Sequence, residues 1–186
     1  MKLYLSDRFV KGMSRKMLTD VILMRTPEAD VEKLASSIVE KGKGKPYIEG
    51  YDYFSISHTG NYWGVIFDDE ECGLDIQLST DVKFEDIAKR VFNEYEIKCV
   101  SEYGKDAFFH IWTRREALVK VAAGSVFRDT PPVIVENYAD DIVIWYGDRK
   151  FYIRSMCISD GLTDYEDFLY IAIATSKVEN LEICWV

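Results

Sequence analysis

Two segments with different periodicity, Cys72–Gln77 and Ile111–Lys120, constrain this chain more than any other feature of its sequence. The first is a mostly apolar run with a single acidic residue, which is typical of the end of a buried strand. Because successive side chains on a strand point to opposite faces, Asp75 and Gln77 share one face. The sequence therefore predicts a carboxylate and an amide side by side on a buried strand.

The second segment has helical spacing, with Trp112, Glu116 and Lys120 in one column at four-residue intervals. If this helix packs on the strand, two carboxylates, an amide oxygen and a lysine converge at one junction. Oxygen ligands of this kind suit Mg²⁺ that is held jointly with phosphate oxygens. The alternative that spacing leaves open is an exposed Glu116–Lys120 pair beside a structural strand acid.

Length and charge narrow the class of protein. The 186 residues, with 48% hydrophobic content, indicate one ordered domain with a substantial core. The net charge of −9 argues against a nucleic-acid partner. Residues 1–45 depart from this balance, with ten lysines and arginines against six acidic residues. Such a basic segment suits an anionic ligand bound at one edge, although a mixed solvated surface would give the same count.

The number and spacing of the cysteines and histidines argue against a zinc site and a histidine metal cluster. The four cysteines are widely separated, with no Cys-x-x-Cys pair, and the chain has only two histidines. This pattern favours reduced thiols over a disulfide framework or a zinc site. The longest apolar run, residues 168–174, is too short to span a bilayer. Because no charged and apolar leader opens the chain, we expect a cytoplasmic protein without a membrane partner.

Helices are expected where apolar residues recur every three to four positions. Ser14 is placed to cap the first helix, and Thr26-Pro27 is placed to begin the second. Three further helices are predicted over residues 84–91, from Asn93 onward, and over residues 106–122.

Strands are expected in two groups. In the first, Tyr53–Ser57, Asn61–Phe67 and Cys72–Gln77 are predicted to form a three-stranded antiparallel meander. The second group follows Pro131 and comprises residues 133–135, 142–146, 151–157, 168–174 and 182–185. Helices combined with antiparallel strands in both portions predict the α+β class.

Five segments, in chain order, resemble motifs of the 4′-phosphopantetheinyl transferase superfamily. Gly73–Gln77 ("GLDIQ") is similar to G-[IV]-D-[IV]-E, and Trp112–Lys120 ("WTRREALVK") is similar to W-[TS]-x-K-E-[AS]-x-x-K. Gly44–Tyr47 resembles a G-K-P segment, Phe54–Phe67 a segment with S-H-[ST], and Arg90–Glu96 the R-[FV]-F-x-x-x-E segment. Together they resemble the larger, surfactin-synthetase-type class in a shortened version.

The resemblance implies an α+β fold of two similar halves. Each half would be a small antiparallel sheet packed with helices, and the two would be related by pseudo-twofold symmetry. Residues 1–72 and 73–186 would be these halves within one compact transferase domain over residues 1–186. Because both halves lie in one chain, we expect a monomer.

The resemblance also implies an enzyme, a holo-[acyl-carrier-protein] synthase or 4′-phosphopantetheinyl transferase. Such an enzyme moves the 4′-phosphopantetheine arm of coenzyme A to a serine of an apo acyl or peptidyl carrier protein. The reaction depends on Mg²⁺, releases adenosine 3′,5′-bisphosphate, and serves fatty-acid, polyketide or nonribosomal peptide biosynthesis. One alternative is a degenerate, non-catalytic module that binds coenzyme A or a carrier protein. Another is a Mg²⁺-dependent phosphohydrolase.

Site roles are carried over by the same resemblance. Asp75, Glu116 and Lys120 take the catalytic positions, and Asp75, Gln77 and Glu116 take the metal-binding positions. The coenzyme-binding positions are Arg15, Lys45, Pro46, Ser57, His58 and Lys120. Without the resemblance, the lysine at position 45 belongs to a solvated basic loop and Ser57-His58 to a structural strand end.

Two positions depart from the family motifs. Gln77 stands where the strand motif has a second acid, and an amide oxygen binds Mg²⁺ without contributing a negative charge. Arg115 stands where the helix motif has a lysine, which keeps the positive charge but changes its geometry. The resemblance therefore predicts weaker metal binding than a site with both acids.

Overall fold

The computed structural model describes residues 1–41, 45–121, 138, 140–146, 148–159, 168–178 and 180–186. Within these residues, the helices are α1 (Ser14–Arg25), α2 (Val31–Ser37), α3 (Phe84–Val91) and α4 (Glu94–Val121). The first six strands are β1 (Lys2–Ser6), β2 (Val39–Lys41), β3 (Lys45–Tyr47), β4 (Tyr53–Thr59), β5 (Tyr62–Asp68) and β6 (Gly73–Leu78). The last four are β7 (Ile142–Tyr146), β8 (Arg149–Ser159), β9 (Phe168–Thr175) and β10 (Glu182–Trp185).

The strands form two four-stranded sheets and one small ribbon. The first sheet has the order β10-β1-β5-β4, and the second has the order β6-β9-β8-β7. Strands β2 and β3 form the separate two-stranded ribbon. Among the described strand pairs, β1 and β10 run parallel and the others antiparallel. The last strand of the chain therefore completes the sheet that the first strand begins.

The two sheets share one core and carry their helices on the outside. Leu3 and Ile66 of the first sheet lie in the same buried cluster as Ile76 and Ile171 of the second. The opposite face of the first sheet packs against α1 and α2. The opposite face of the second sheet packs against α3 and α4. Each sheet thus packs between its own helix layer and the other sheet.

The third strand of the predicted meander joins a different sheet, so that prediction is wrong. Strands β4 and β5 form the expected hairpin, but β6 pairs with β9. The other edge of β6 donates to side chains of β4: the amides of Leu74, Ile76 and Leu78 bond to the hydroxyls of Ser55, Ser57 and Thr59 at 2.9, 3.1 and 3.2 Å. Because hydroxyl oxygens satisfy these amides, β6 needs no backbone partner on that side.

The first two helices begin differently from the sequence prediction. Helix α1 does start at Ser14, but the Ser14 hydroxyl accepts a hydrogen bond from Trp63 Nε1 at 2.8 Å rather than capping the helix. Helix α2 starts after Asp30, whose carboxylate accepts the amide of Lys33 at 3.0 Å. An aspartate cap satisfies an otherwise unpaired N-terminal amide. The predicted start at Thr26-Pro27 is therefore wrong.

Helix α4 joins two of the predicted helices across a break. Gly104 has φ of +68° and ψ of −142°, a conformation that glycine adopts far more readily than other residues. At the N-terminus, the Asn93 side chain accepts the amide of Glu96 at 2.9 Å, and the Glu96 carboxylate accepts the amide of Asn93 at 3.0 Å. This reciprocal capping box confirms the predicted helix start at Asn93.

The α+β class and the arrangement of two sheet-and-helix halves are confirmed. The predicted strands over residues 142–146, 151–157, 168–174 and 182–185 are confirmed as β7 to β10. The predicted strand over residues 133–135 lies outside the described residues. The division of the chain between residues 72 and 73 stays a prediction, and β10 pairs with β1 across that division.

Candidate active site

Strand β6 approaches helix α4 closely enough to bring the predicted residues together. A Cβ atom at Gly73 would lie 1.8 Å from the carbonyl oxygen of Ala117, so no side chain fits there. Gly73 and Asp75 share one face of β6 because side chains alternate along a strand. This close contact therefore presents Asp75 to the helix that carries Glu116 and Lys120.

The side chain of Lys120 is the centre of the site. Its Nζ atom donates to Oδ1 of Asp75 at 2.7 Å, to the Ser57 hydroxyl at 3.0 Å and to the backbone oxygen of Leu74 at 2.9 Å. An ammonium group has three N–H donors, and each has an oxygen partner. Lys120 therefore joins a strand of each sheet to helix α4.

Asp75 is buried and receives hydrogen bonds on both carboxylate oxygens. Oδ1 accepts from the Ser57 hydroxyl at 3.0 Å in addition to Lys120. Oδ2 accepts from Nε2 of Gln77 at 2.9 Å. Asp75 has 2% of its surface exposed, and these donors satisfy both of its side-chain oxygens. Gln77, whose amide oxygen is predicted to bind the metal, thus turns its amide nitrogen toward Asp75.

Glu116 is the second carboxylate of the site and is half-buried. Burial raises the pKa of Glu116, the negative charge of Asp75 raises it further, and Lys120 opposes both effects. The charge of Asp75 on β6 thus acts on Glu116 of helix α4. Within the described part of the chain, the Glu116 carboxylate receives no hydrogen bond and forms no ion pair.

The donor set of this site fits a divalent cation shared with a substrate. Two carboxylates that repel each other gain most from a cation placed between them. The described residues contain no group of three or more His, Cys, Asp or Glu side chains that could hold a metal ion. Mg²⁺ is commonly bound by one or two carboxylates together with waters and substrate phosphates. Asp75 and Glu116 match that pattern.

The coenzyme-binding candidates Lys45 and Pro46 lie in β3, next to the start of β6. Lys45 Nζ donates to the backbone oxygen of Cys72 at 3.1 Å. Both residues line a cavity of about 570 Å³ that also contains Tyr47, Tyr51, Tyr53 and, from the end of α4, Val121. An aromatic cavity beside a lysine can accept a planar base and an anionic group.

The other predicted coenzyme-binding residues differ in whether they contact Asp75 and Lys120. The structure brings Ser57 into the cluster, where its hydroxyl contacts Asp75 and Lys120. His58 points away from Ser57, is exposed, and stacks on Phe9 with a centroid distance of 4.6 Å. Arg15 lies exposed in the first turn of α1. Of the residues carried over from the family, Asp75, Glu116, Lys120, Ser57 and Gln77 therefore lie together.

Arg115 does not face the site, although it immediately precedes Glu116. Its guanidinium bonds to the Glu96 carboxylate at 2.5 and 3.2 Å, and both side chains are fully buried. Sequence reasoning had placed Glu96 only in a segment that resembles a family motif and had not predicted this ion pair. It had also missed the hydroxyls of Ser55 and Thr59, although alternating hydroxyl residues along β4 were a visible signal.

Among the described helices, none has the length and apolar composition needed to cross a membrane.

Residues 71–139 match the sequence model of the 4′-phosphopantetheinyl transferase superfamily. The matched segment includes β6, α3 and α4, and so contains Asp75, Glu116 and Lys120. Over this segment the chain is similar to the superfamily, in agreement with the resemblance of its motifs.

The chain is also similar to Sfp-type proteins of Bacillus. It is 31% identical over 116 residues to 4′-phosphopantetheinyl transferase Sfp of Bacillus subtilis (strain 168), which covers 57% of this chain and 50% of that protein. It is 30% identical over 121 residues to another 4′-phosphopantetheinyl transferase of Bacillus subtilis, covering 60% and 54%. It is 29% identical over 127 residues to 4′-phosphopantetheinyl transferase psf-1 of Bacillus pumilus, and the aligned region covers 64% of this chain and 54% of that protein. The chain thus spans about half the length of these curated relatives.

Proposed function

We propose that this chain transfers the 4′-phosphopantetheine arm of coenzyme A to a serine of an apo acyl or peptidyl carrier protein. The observation that carries the proposal is the cluster of Asp75, Glu116 and Lys120, in which Lys120 Nζ lies 2.7 Å from Asp75 Oδ1. Two carboxylates and a lysine on rigid elements are the groups that phosphoryl transfer to an alcohol requires. The superfamily match supports the same reaction.

The proposed reaction exchanges one phosphorus–oxygen bond for another. The serine oxygen forms a bond to the phosphorus that carries pantetheine, and the bond from that phosphorus to the bridging oxygen breaks. Adenosine 3′,5′-bisphosphate leaves with the electron pair. Glu116 accepts the serine proton, because its raised pKa makes it a stronger base than an ordinary glutamate. Lys120 stabilises the negative charge that develops on the bridging oxygen.

Asp75 and Glu116 would hold Mg²⁺ at this position. When bound, Mg²⁺ supplies positive charge that neutralises the diphosphate oxygens and lowers the barrier to attack. Asp75 keeps its orientation because the Ser57 hydroxyl and the Gln77 amide hold its two oxygens. Such support from neighbouring side chains is what fixes the geometry of a metal ligand.

The cavity beside β3 is the proposed place for the adenosine part of coenzyme A. Lys45 and Pro46 border this cavity, and Lys45 is tied to the residue that precedes β6. Arg15 and His58, both exposed, are proposed to contact coenzyme phosphates from outside the carboxylate cluster. The proposal further includes a monomeric protein that acts in the cytoplasm.

Mass spectrometry of an apo carrier protein tests the proposal. The carrier is incubated with coenzyme A, Mg²⁺ and the protein, and a phosphopantetheine adduct on its serine is the expected result. Asp75→Ala and Glu116→Ala should each abolish the adduct while circular dichroism shows an intact fold. Glu102→Ala serves as the matched control, because Glu102 is an exposed glutamate on the same helix.

The same experiment separates the alternative functions. An unmodified carrier together with tightly bound coenzyme A would indicate a non-catalytic binding module. The amide at position 77, where the family motif has an acid, is the observation that favours this second candidate. Cleaved coenzyme A without an adduct would indicate a phosphohydrolase. Full transfer by either alanine variant would remove the assigned role of that carboxylate.

A further inference from the structure

The ammonium group of Lys120 already holds the carboxylate that a metal ion would need. It contacts Oδ1 of Asp75 at 2.7 Å, and its other two donors are fixed by Ser57 and the backbone of Leu74. About 29% of the lysine side chain is exposed, so its charged end can also reach toward a ligand. Lys120 is therefore a bound counter-ion of Asp75 whose side chain is partly exposed to solvent.

The charges of the site make this contact important for cation binding. Asp75 and Glu116 supply two negative charges, Lys120 supplies one positive charge, and Gln77 supplies none. With Lys120 paired to Asp75, a divalent cation meets a site with a net charge of only −1. It also meets the repulsion of the ammonium group, which is strong at short distance in a partly buried site.

We propose that Lys120 acts as an electrostatic latch, which pairs with Asp75 until the diphosphate of the coenzyme draws it away. A diphosphate offers negative oxygens that can replace Asp75 as the partner of the ammonium group. Asp75 is then uncovered and becomes a better ligand for the metal ion. By thermodynamic linkage, the metal and the diphosphate strengthen each other's binding by the same factor. This inference rests on the proposed function and adds the order of contacts within that site.

The test is the affinity of the coenzyme-free protein for Mn²⁺, measured by electron paramagnetic resonance. Mn²⁺ is a suitable probe because it shares the preference of Mg²⁺ for carboxylate oxygens. Lys120→Met removes the latch, so this variant should bind Mn²⁺ at least about tenfold more tightly than the wild type. Lys105→Met is the matched control, since it removes the same charge from the same helix beside Asp81 and should leave the affinity unchanged.

A second substitution at position 120 keeps the test valid if Lys120→Met does not fold. Lys120→Gln keeps a hydrogen-bond donor without the charge and should also bind Mn²⁺ more tightly. Adding Asp75→Asn to Lys120→Met should abolish the gain, because the gain acts through Asp75. Equal Mn²⁺ affinity in the wild type and in both folded Lys120 variants would overturn the latch. So would an equal gain in Lys105→Met, which would show an effect of net charge alone.

The Mn²⁺ affinities and the carrier-protein assay test the latch and the proposed function separately. A wild-type protein that transfers nothing to a carrier, combined with tighter Mn²⁺ binding by Lys120→Met, would refute the transferase proposal and keep the latch. Transfer by the wild type, combined with unchanged Mn²⁺ binding by the variants, would do the reverse.

Discussion

The side-chain amide of Gln77 donates a 2.9 Å hydrogen bond to Oδ2 of Asp75, its neighbour on the same face of β6. Gln77→Glu replaces this donor by a second carboxylate. Without metal, the two like charges should lower the free energy of unfolding by about 1 kcal/mol. With Mg²⁺ present, the variant should gain more stability than the wild type, because it binds the ion more tightly. Urea unfolding with and without Mg²⁺ measures both effects.

Gln77→Leu is the control for this prediction. It loses the hydrogen bond to Asp75 but adds no charge, so Mg²⁺ should stabilise it no more than it stabilises the wild type. An identical response to Mg²⁺ in Gln77→Glu and the wild type would place residue 77 outside the ligand set.

The raised pKa of Glu116 predicts the pH dependence of transfer. Burial and the charge of Asp75 raise this pKa above its ordinary value of 4.5. Because Mg²⁺ binds the ionised carboxylate and competes with its proton, the rate should rise with pH, and this rise should move to lower pH as the Mg²⁺ concentration increases. Glu116→Gln should remove this rise and lower the turnover number at least about 100-fold.

Although Glu116→Gln should slow transfer, it should not destabilise the fold. A carboxyl with a raised pKa contributes stability below its unfolded pKa and loses that contribution as the pH rises through the folded pKa. At neutral pH, Glu116→Gln should therefore unfold at the same or a higher urea concentration than the wild type. A clearly less stable variant would mean that the ionised Glu116 carboxylate has a stabilising partner.

Gly73 sets the distance between β6 and α4. Gly73→Ala would place a Cβ atom 1.8 Å from the backbone oxygen of Ala117, and backbone atoms cannot move aside cheaply. We expect a loss of more than about 3 kcal/mol in the free energy of unfolding, together with loss of transfer. Gly64→Ala is the comparison, because there the contact of 2.6 Å is with Cδ1 of Ile76, the flexible end of a side chain. Similar costs for the two variants, measured by urea unfolding, would contradict this account.

The ion pair of Glu96 and Arg115 is fully buried, with side-chain exposures of 0% and 1%. Arg115→Met leaves the Glu96 carboxylate buried without its partner and should cost about 3–5 kcal/mol. Adding Glu96→Gln should recover part of this loss, since the amide retains a capping acceptor without the charge. The exposed pair of Lys16 and Asp20, also at short distance, is the control, and Lys16→Met should cost less than about 1 kcal/mol. Additive single and double costs would show that the two residues do not interact.

Asp68 and Asp69 form a coupled carboxyl pair at the end of β5. Burial and the hydrogen bond with Asp69 raise the pKa of Asp68 to about 6. The hydrogen bonds with Asp68 and Lys177 hold the pKa of Asp69 at about 2. The contribution of Asp68 to stability is thus complete below its ordinary value of 3.8 and is lost as the pH rises through about 6.

Asp68→Asn keeps a donor toward Asp69 but does not titrate. Its stability should match that of the wild type near pH 4 and exceed it at pH 8 by an amount on the order of 1–3 kcal/mol. Urea unfolding at the two pH values measures the difference. A constant difference between wild type and variant across this range would refute the raised pKa.

The elements of the fold could largely be predicted because they depend on local patterns. The apolar spacing of helix α3 and the pairing of β4 with β5 depend on residues close together in the chain, and each formed as expected. The motif around Asp75 and the column of Glu116 and Lys120 also predicted which residues form the candidate site, because spacing fixes which side chains share a face. Local sequence therefore determined which groups were available for chemistry.

The partners of these groups were decided only by the tertiary structure. Strand β6 could have paired with β5, but its edge amides found the hydroxyls of β4, and its other edge found β9. Lys120 could have paired with Glu116 on its own helix, but its hydrogen bonds go to Asp75 and Ser57. Each choice satisfies a buried polar group with an atom distant in the chain, and local periodicity carries no information about such contacts.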